Sequence, residues 1–176
     1  RYDRKKSKEG AANMSETKTN VCRILDKSKI HYECHSYEPG EKLDAVTAAQ
    51  KMGLDPGQVF KTLVTQGKSG AYHVFVIPGA QELDLKKAAK AAGEKSVEMI
   101  HVKDINKVTG YIRGGCSPIG MKKQYGTILD ESAKNYTTIV ISAGRIGSQV
   151  EVSPLDLANL IRASFAQITA RQEGSI

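Results

Sequence analysis

Apolar positions alternate between helical spacing and strand spacing from about residue 18 onward. Apolar side chains three and four positions apart predict an amphipathic helix, whereas strict alternation predicts a strand with one buried face. The first pattern predicts a helix over 18–29 and further helices capped by Asp44 and Asp84, which Gly53 and Gly93 can end. The residues predicted to form the buried faces are Val21, Ile24, Leu25 and Ser28, then Val46, Ala49 and Met52, and then Leu85, Ala88, Ala89 and Ala92.

The segment that begins at Ser153 gives the clearest helix signal. Ser153 and Asp156 form a capping box, and Pro154 occupies the first helical position, where a missing N–H costs nothing. We expect this last helix to bury a stripe formed by Leu157, Ile161, Phe165 and Ile168.

Short β-rich segments are predicted between these helices. The stretch 31–37 alternates like a strand, and Pro39-Gly40 marks the turn after it. The segments 59–65 and 73–78 are rich in β-branched and aromatic residues, and the link at 66–71 suits a hairpin. Further strands are expected at 97–101, 126–129, 137–142 and 148–152. The succession predicts a mixed α/β single domain, with a curved, mainly mixed or antiparallel central sheet flanked by helices.

Composition divides the chain into three parts. Residues 1–13 are charged and lack apolar periodicity, and we interpret them as an expression tag or disordered segment, although a native basic tail is the alternative. Residues 14–170 fit one domain, and 171–176 form a polar tail. The whole chain has a net charge of +7, which falls to +4 from Met14 onward because five basic and two acidic residues precede it. This mild excess suits an RNA partner or a merely basic surface.

Cysteine and histidine usage argues against a disulfide framework and a zinc site. The three cysteines are widely spaced without a CxxC pair, and the four histidines complete no metal-ligand spacing. We therefore expect no metal and no cofactor. There is no apolar run of about 18 residues, so we expect no membrane partner and a cytoplasmic location. The residues concerned are Cys22, Cys34 and Cys116, and His31, His35, His73 and His101.

The most unusual stretch is TGYIRGGCSPIGMKK at 109–123. Its four glycines and Pro118 are incompatible with a regular helix or central strand. Glycines let backbone N–H groups converge on one point, which creates a nest for an oxyanion or a phosphate. Arg113, Lys122 and Lys123 add positive charge on both sides. The alternative is an ordinary tight connection with basic flanks.

Lys61 is a cation on the otherwise apolar strand face of Val59 and Leu63. Such a lysine is either a site residue or a solvated residue that protects an edge strand, and the residues alone favour the edge-strand interpretation.

The segment 109–123 also contains candidate nucleophiles. Cys116 lacks a neighbouring histidine in the sequence, and we interpret it as a small side chain packed under the loop. Ser117 and Ser142 lack a nucleophile-elbow sequence, and Ser117 fits a turn residue before Pro118. Any enzyme built from this chain is therefore expected to work by orienting its substrate and stabilising charge.

Three segments in series resemble the YbaK family of bacterial Cys-tRNA deacylases, within the superfamily of editing domains associated with prolyl-tRNA synthetase. They are VFKTLV (59–64), ELDLKKAAK (82–90) and TGYIRGGCSPIGMKK (109–123), and the resemblance covers roughly residues 18 to 170. It implies a mixed α/β fold with a curved sheet. It also implies removal of cysteine that prolyl-tRNA synthetase has wrongly attached to proline tRNA, and deacylation of Cys-tRNA(Cys). The implied partners are the aminoacylated tRNA end and the synthetase, without DNA.

The resemblance also assigns residues. The essential family lysine falls on Lys61, followed by Thr62, and the remaining correspondences imply substrate binding. Around Leu43 and Asp44 the aromatic residue of some relatives is missing, so the pocket lining differs there. The implied substrate-binding residues are Tyr37, Thr62, Gly114, Gly115, Cys116, Ser117, Pro118, Ser142 and Gly144.

In this family the thiol of the substrate is proposed to attack its own ester carbonyl and expel the tRNA as a cyclic thiolactone forms. The resemblance leaves two roles open for Lys61, which can anchor the terminal adenosine or polarise the ester. Two other functions fit the same residues, a tRNA-binding or synthetase-binding module without catalysis and an editing enzyme for Ala-tRNA or Ser-tRNA.

Overall fold

A computed structural model describes residues 18–37 and 45–170. The described helices and strands confirm the predicted mixed α/β class. The helices are α1 (Asn20–Lys27), α2 (Ala45–Met52), α3 (Leu85–Ala92), α4 (Val102–Thr109) and α5 (Pro154–Ile161), with short 3-10 helices at Pro56–Gln58 and Glu131–Asn135. The strands are β1 (Tyr32–Ser36), β2 (Phe60–Gly67), β3 (Tyr72–Pro78), β4 (Val97–Met99), β5 (Gly126–Asp130), β6 (Ile139–Arg145), β7 (Ser148–Val152) and β8 (Ser164–Ala166).

Several predictions fall outside the described residues. These are the segment 1–13, the Pro39-Gly40 turn, the Asp44 cap with its neighbour Leu43, and the tail 171–176. None of the described helices is long and apolar enough to cross a membrane.

The predicted single sheet is divided into two. A five-stranded sheet has the order β4-β2-β3-β5-β8, and a three-stranded sheet has the order β1-β7-β6. Within the larger sheet, β3, β5 and β8 run parallel, while β2 forms the predicted antiparallel hairpin with β3. A parallel bridge between Val59 and Val140 joins the two sheets where β2 begins.

The main core fills the space between the two sheets. Inward-facing residues of β6 and β7, such as Ile141 and Val150, are fully buried against Phe60, Val76 and α1. Ile119, from the loop before β5, belongs to the same cluster and is 1% exposed. The core therefore anchors the glycine-rich stretch from beneath.

Local capping explains where the predicted helices begin and end. The Oγ1 atom of Thr19 accepts the N–H of Cys22 at the start of α1, and the Asp84 carboxylate accepts the N–H of Lys87 at the start of α3. Gly93 ends α3 with φ +71°, a left-handed conformation that glycine adopts without steric cost.

The final helix is shorter than predicted. It ends at Ile161 because Arg162 takes a left-handed conformation with φ 55°, and the N–H of Ala163 bonds back to the Ala158 carbonyl. Phe165 instead lies in β8, opposite Leu129. The prediction of a helical stripe that includes Phe165 and Ile168 was wrong, because edge pairing to β5 outweighs the apolar spacing.

Three assignments of buried residues were also wrong, one of them Ser28, which caps the end of α1 and is exposed. Leu85 is 43% exposed and Val46 is 40% exposed, since α3 and α2 pack through alanines such as Ala88 and Ala49. Helix α4 was not predicted, although Val102, Ile105 and Val108 have helical spacing; of these, Val108 is buried and Val102 is exposed.

Candidate functional site

A strand irregularity opens the end of β6. The pairing of β6 with β7 shifts between Ser142 and Arg145, and Gly144 takes φ +97°. The Ser142 hydroxyl accepts the Gly144 N–H at 3.0 Å, so this serine supports the bend. The result is a turn that projects from the sheet next to the glycine-rich loop.

The glycine-rich loop packs directly on this turn. A Cβ atom on Gly115 would lie 3.2 Å from the Arg145 Cα and the Ile146 nitrogen, both backbone atoms. Gly114 adopts φ +87° and faces the Ile146 side chain. Glycine is therefore required here for a close approach of two backbones as well as for a left-handed turn.

Tyr111 fastens the loop to β6. Its hydroxyl donates a hydrogen bond to the Ile119 carbonyl, and its ring approaches within 3.0 Å of the position that a Cβ on Gly144 would occupy. Burial, and then the neighbouring Cys116 thiol, raises the pKa of Tyr111 to about 12. This tyrosine is a neutral brace at physiological pH.

The side chains within the loop are poorly suited to nucleophilic attack. Burial raises the pKa of Cys116 to about 11, although a hydrogen bond with Thr109 opposes the shift. Ser117 is fully buried, and its hydroxyl accepts the Ile119 N–H at 3.3 Å. Both side chains therefore support the loop.

The backbone of the loop offers N–H groups. The Gly115 N–H already donates to the Ile112 carbonyl at 3.0 Å. Within the described part of the chain, the N–H groups of Gly114, Cys116 and Ser117 have no such acceptor. These three donors form the candidate oxyanion nest that the glycine pattern predicts.

Tyr37 reaches the same region from β1. Its N–H donates to the Gly147 carbonyl at 2.9 Å, and a Cβ on Gly147 would lie 2.8 Å from the Tyr37 carbonyl oxygen. Tyr37 therefore lies against the far end of the β6–β7 turn.

Lys61 lies on β2, and its side chain is on the outer face of the sheets. Val59 packs with Val140, and side chains two positions apart on a strand share a face. Lys61 and Ser142 each follow this pair by two residues, so they extend the same face. Lys61 is half-buried, and its ammonium group makes no hydrogen bond or ion pair with another described residue.

Thr62 lies on the opposite face of β2. It is paired with Val76, whose side chain packs in the core cluster that contains Ile119. The structure thus does not bring the Lys61 and Thr62 side chains to one surface, because adjacent residues on a strand alternate.

A sequence profile of the aminoacyl-tRNA editing domain matches residues 39–160. The chain belongs to the aminoacyl-tRNA editing domain family. The family resemblance noted in the sequence is thereby confirmed.

Two curated bacterial proteins and one solved structure are similar to this editing domain. It is 47% identical over 163 residues to a protein of Enterococcus faecalis named "Putative Cys-tRNA(Pro)/Cys-tRNA(Cys) deacylase EbsC", a match that covers 92% of this chain and 99% of the relative. It is 26% identical over 121 residues to the uncharacterized protein YwhH of Bacillus subtilis, covering 69% of this chain and 74% of that protein. A crystal structure described as "a putative trans-editing enzyme for prolyl tRNA synthetase" superimposes with a TM-score of 0.77 at 25% identity, covering 88% of this chain and all of that one.

Gln149 was not predicted as a site residue of this editing domain. Gln149 is paired with Ser142 across β6 and β7, on the face that Lys61 extends. Its side-chain oxygen Oε1 is buried and has no hydrogen-bond partner among the described residues. An unpaired buried acceptor is costly and needs a reason, such as a ligand that donates to it. The sequence gives no sign of this unpaired oxygen, because Gln149 looks like any other polar residue of an alternating strand.

One group of side chains in the editing domain has the chemistry of a metal site. Ligand atoms of Glu33, His35 and Glu151 all lie within 4.8 Å of one another. However, His35 Nε2 already donates to Glu151 at 2.8 Å, and the Thr138 hydroxyl donates to the other carboxylate oxygen. His35 and Glu151 are therefore already engaged in hydrogen bonds that tie β1 to β7.

Proposed function

We propose that this chain is an aminoacyl-tRNA deacylase that removes cysteine from Cys-tRNA(Pro), and also from Cys-tRNA(Cys). The observation that supports this most is the 47% identity to the Enterococcus faecalis protein over 99% of its length. The editing-domain match over residues 39–160 supports the same reaction class.

The proposed site combines Lys61 and Ser142, which extend one face of the strands, with Tyr37 and the loop 114–118, which lie against the β6–β7 turn. Lys61 supplies a positive charge for the terminal adenosine of the tRNA or for the ester carbonyl. The N–H groups of Gly114, Cys116 and Ser117 stabilise the oxyanion that forms on that carbonyl. Thr62, Gly115, Pro118 and Gly144 shape the site without contacting the reacting atoms.

The proposed chemistry uses the thiol of the substrate. Its sulfur attacks the ester carbonyl carbon, a carbon–sulfur bond forms, and the carbon–oxygen bond to the tRNA breaks. The ribose oxygen leaves with a proton, and cysteine departs as a cyclic thiolactone. The protein contributes orientation, which can be worth on the order of 7–11 kcal/mol when the geometry is ideal.

The side chains of this chain support a mechanism without a protein nucleophile. Cys116 is a neutral thiol at physiological pH, and the Ser117 hydroxyl is buried. His35 and His73 are hydrogen-bonded to Glu151 and Glu94, and among the described residues no hydrogen bond joins a histidine to a serine or cysteine side chain. No base is therefore in place to activate a hydroxyl or thiol.

We further propose prolyl-tRNA synthetase as the partner and the cytoplasm as the place of action. The structural neighbour that is described as a trans-editing enzyme for this synthetase supports the partnership. The reaction needs no cofactor, since the substrate provides its own nucleophile.

The decisive experiment incubates the pure protein with Cys-, Ala-, Ser- and Pro-tRNA and measures loss of each ester. Rapid loss from Cys-tRNA alone is expected. Preferential loss from Ala-tRNA or Ser-tRNA would assign the chain to another editing specificity. Binding without any turnover would make it a tRNA-binding module.

A substrate with a blocked thiol tests the chemistry separately. S-alkylated Cys-tRNA(Pro) is expected to bind but to resist cleavage, because its sulfur can no longer attack the carbonyl. Binding of the blocked substrate, measured by competition, controls for steric exclusion. Rapid cleavage of the bound, blocked substrate would show that water or a protein group attacks instead.

A further inference from the structure

Two of the three cysteines lie together, between α1 and β1. Cys22 is buried on α1, Cys34 is exposed on β1, and both are free. Cys34 is paired with Val150, which belongs to the same buried cluster as Cys22. The Cys34 side chain therefore points towards the face of the sheet that α1 covers, where its thiol hydrogen-bonds to the Cys22 sulfur.

The surroundings make the two sulfurs chemically different. The hydrogen bond from Cys34, together with one from Thr19 and against the effect of burial, lowers the pKa of Cys22 to about 6. The same hydrogen bond and burial raise the pKa of Cys34, which stays a thiol. A thiolate beside a protonated thiol that is open to solvent is the arrangement that favours disulfide formation.

The charges around the pair are already compensated. Lys18 forms an ion pair with Asp26 at 2.6 Å, and the Tyr32 hydroxyl donates to the other oxygen of Asp26 at 2.9 Å. The Lys18 ammonium nevertheless lowers the pKa of Cys34 slightly, while Asp26 opposes ionisation of both sulfurs.

The two elements that carry these cysteines flank the proposed site. From α1, Val21 lies 3.2 Å from the Cβ position of Gly144, and Ile24 lies 3.2 Å from that of Gly120. From β1, the chain continues directly into Tyr37. A covalent link between α1 and β1 would therefore join the helix that supports both glycine segments to the strand that leads into Tyr37.

We propose that Cys22 and Cys34 form a reversible disulfide in the presence of hydrogen peroxide, and that this bond slows the reaction at the neighbouring site. The second part rests on the proposed deacylase function. The pair thus makes the editing domain sensitive to oxidants.

The oxidation balances with peroxide as the oxidant. The Cys22 thiolate attacks one peroxide oxygen, so a sulfur–oxygen bond forms, the oxygen–oxygen bond breaks and hydroxide leaves. The Cys34 sulfur then attacks the Cys22 sulfur, the disulfide forms, and the bound oxygen departs with the thiol proton as water. Overall two thiols lose two electrons and two protons, and peroxide becomes two water molecules.

Alkylation of the full chain tests the disulfide. When each sample is unfolded in denaturant before alkylation, so that buried thiols react, the reduced protein is expected to take up three iodoacetamide groups and the peroxide-treated protein one. Trypsin should then release the peptide 19–23 linked to the peptide 30–42, and dithiothreitol should separate them. Uptake of three groups after peroxide treatment would overturn the proposal.

Cys34→Ser is the matched variant, because this exposed position tolerates a hydroxyl better than the buried Cys22. Peroxide is expected to slow Cys-tRNA(Pro) deacylation by the parent about tenfold or more, since small displacements near reacting atoms have effects of this size. Dithiothreitol should restore the rate, and Cys34→Ser should not respond to peroxide. An unchanged rate in the cross-linked protein would overturn the regulatory part.

The two proposals can fail separately. A reduced protein without any deacylation would overturn the proposed function, and with it the regulatory part. The alkylation count and the linked peptides would still decide whether the disulfide forms.

Discussion

Lys61 is the side chain on which the proposed reaction depends most. Lys61→Ala is expected to lower the deacylation rate by at least about a hundredfold, the scale seen when one charge-stabilising group is removed from a reacting centre. Its thermal stability should change little, because such a strand substitution costs under about 1 kcal/mol. Single-turnover assays and thermal unfolding measure the two effects.

Lys86→Ala provides the matched control for this prediction, since Lys86 is exposed on α3. It removes the same charge from the molecule and should keep the parent rate. Full activity in a folded Lys61→Ala protein would show that Lys61 only protects the strand.

Cys116 is expected to be dispensable for the chemical step. With a pKa of about 11 the thiol is neutral at pH 7, so Cys116→Ala should lose less than about tenfold in rate. Its pH–rate profile should match that of the parent through the neutral range. A thousandfold loss, about 4 kcal/mol of barrier, would reinstate a protein nucleophile.

For single residues, the sequence predicted which residue types matter better than it predicted which atoms surround them. The glycines of the loop were predictable because only glycine permits a left-handed turn and close backbone contact. The unpaired oxygen of Gln149 was not predictable, because its burial depends on pairing with the distant strand β1. The contact between Cys22 and Cys34 was not predictable either, because it depends on how α1 packs against β1.

The contact between the glycine-rich loop and the β6–β7 turn is the element on which site geometry depends. Gly115→Ala is expected to cost about 1–3 kcal/mol and to reduce deacylation, because its Cβ would press on backbone atoms of Arg145 and Ile146 that cannot rotate away. Denaturant unfolding and the deacylation assay measure these losses.

Gly126→Ala is the matched substitution, since its Cβ would make only an ordinary contact at 3.6 Å with His73. It should leave both the stability and the rate near those of the parent. If Gly115→Ala behaved in the same way, close packing of the loop on the turn would not matter.

Elements with capping residues and clear periodicity were predicted well. The strand at 148–152 and the helix capped by Asp84 lie where expected. The last helix was overextended because an apolar residue suits a helix stripe and a strand equally. Phe165 lies in a strand because β8 pairs with the edge of β5, and the sequence around Phe165 gives no information about that edge.

Across the whole molecule, acid stability is expected to depend on Glu151. Burial opposes its ionisation, but hydrogen bonds from Thr138 and His35 outweigh burial and lower its pKa below the usual 4.5. A carboxyl with a depressed pKa stabilises the fold above its unfolded pKa, and this contribution is lost as the pH falls through the folded pKa. Glu151→Gln should therefore flatten the dependence of the melting temperature on pH below about 4.5.

Glu98→Gln, at an exposed position on β4, serves as the comparison. It should retain the slope of the parent in the same pH range. A parent slope in Glu151→Gln would mean that other groups govern acid unfolding.

The parallel pairing of β3, β5 and β8 has a consequence for biosynthesis. Leu83 and Thr169 bridge, and the Ala170 N–H donates to Glu82, so residues near 170 complete a sheet that begins near residue 60. On the ribosome, the central sheet cannot close until these late residues leave the exit tunnel. The edge of β5 therefore stays unpaired from the time residues 126–130 emerge until residues 164–166 follow, and such an unpaired edge is prone to aggregation during that interval.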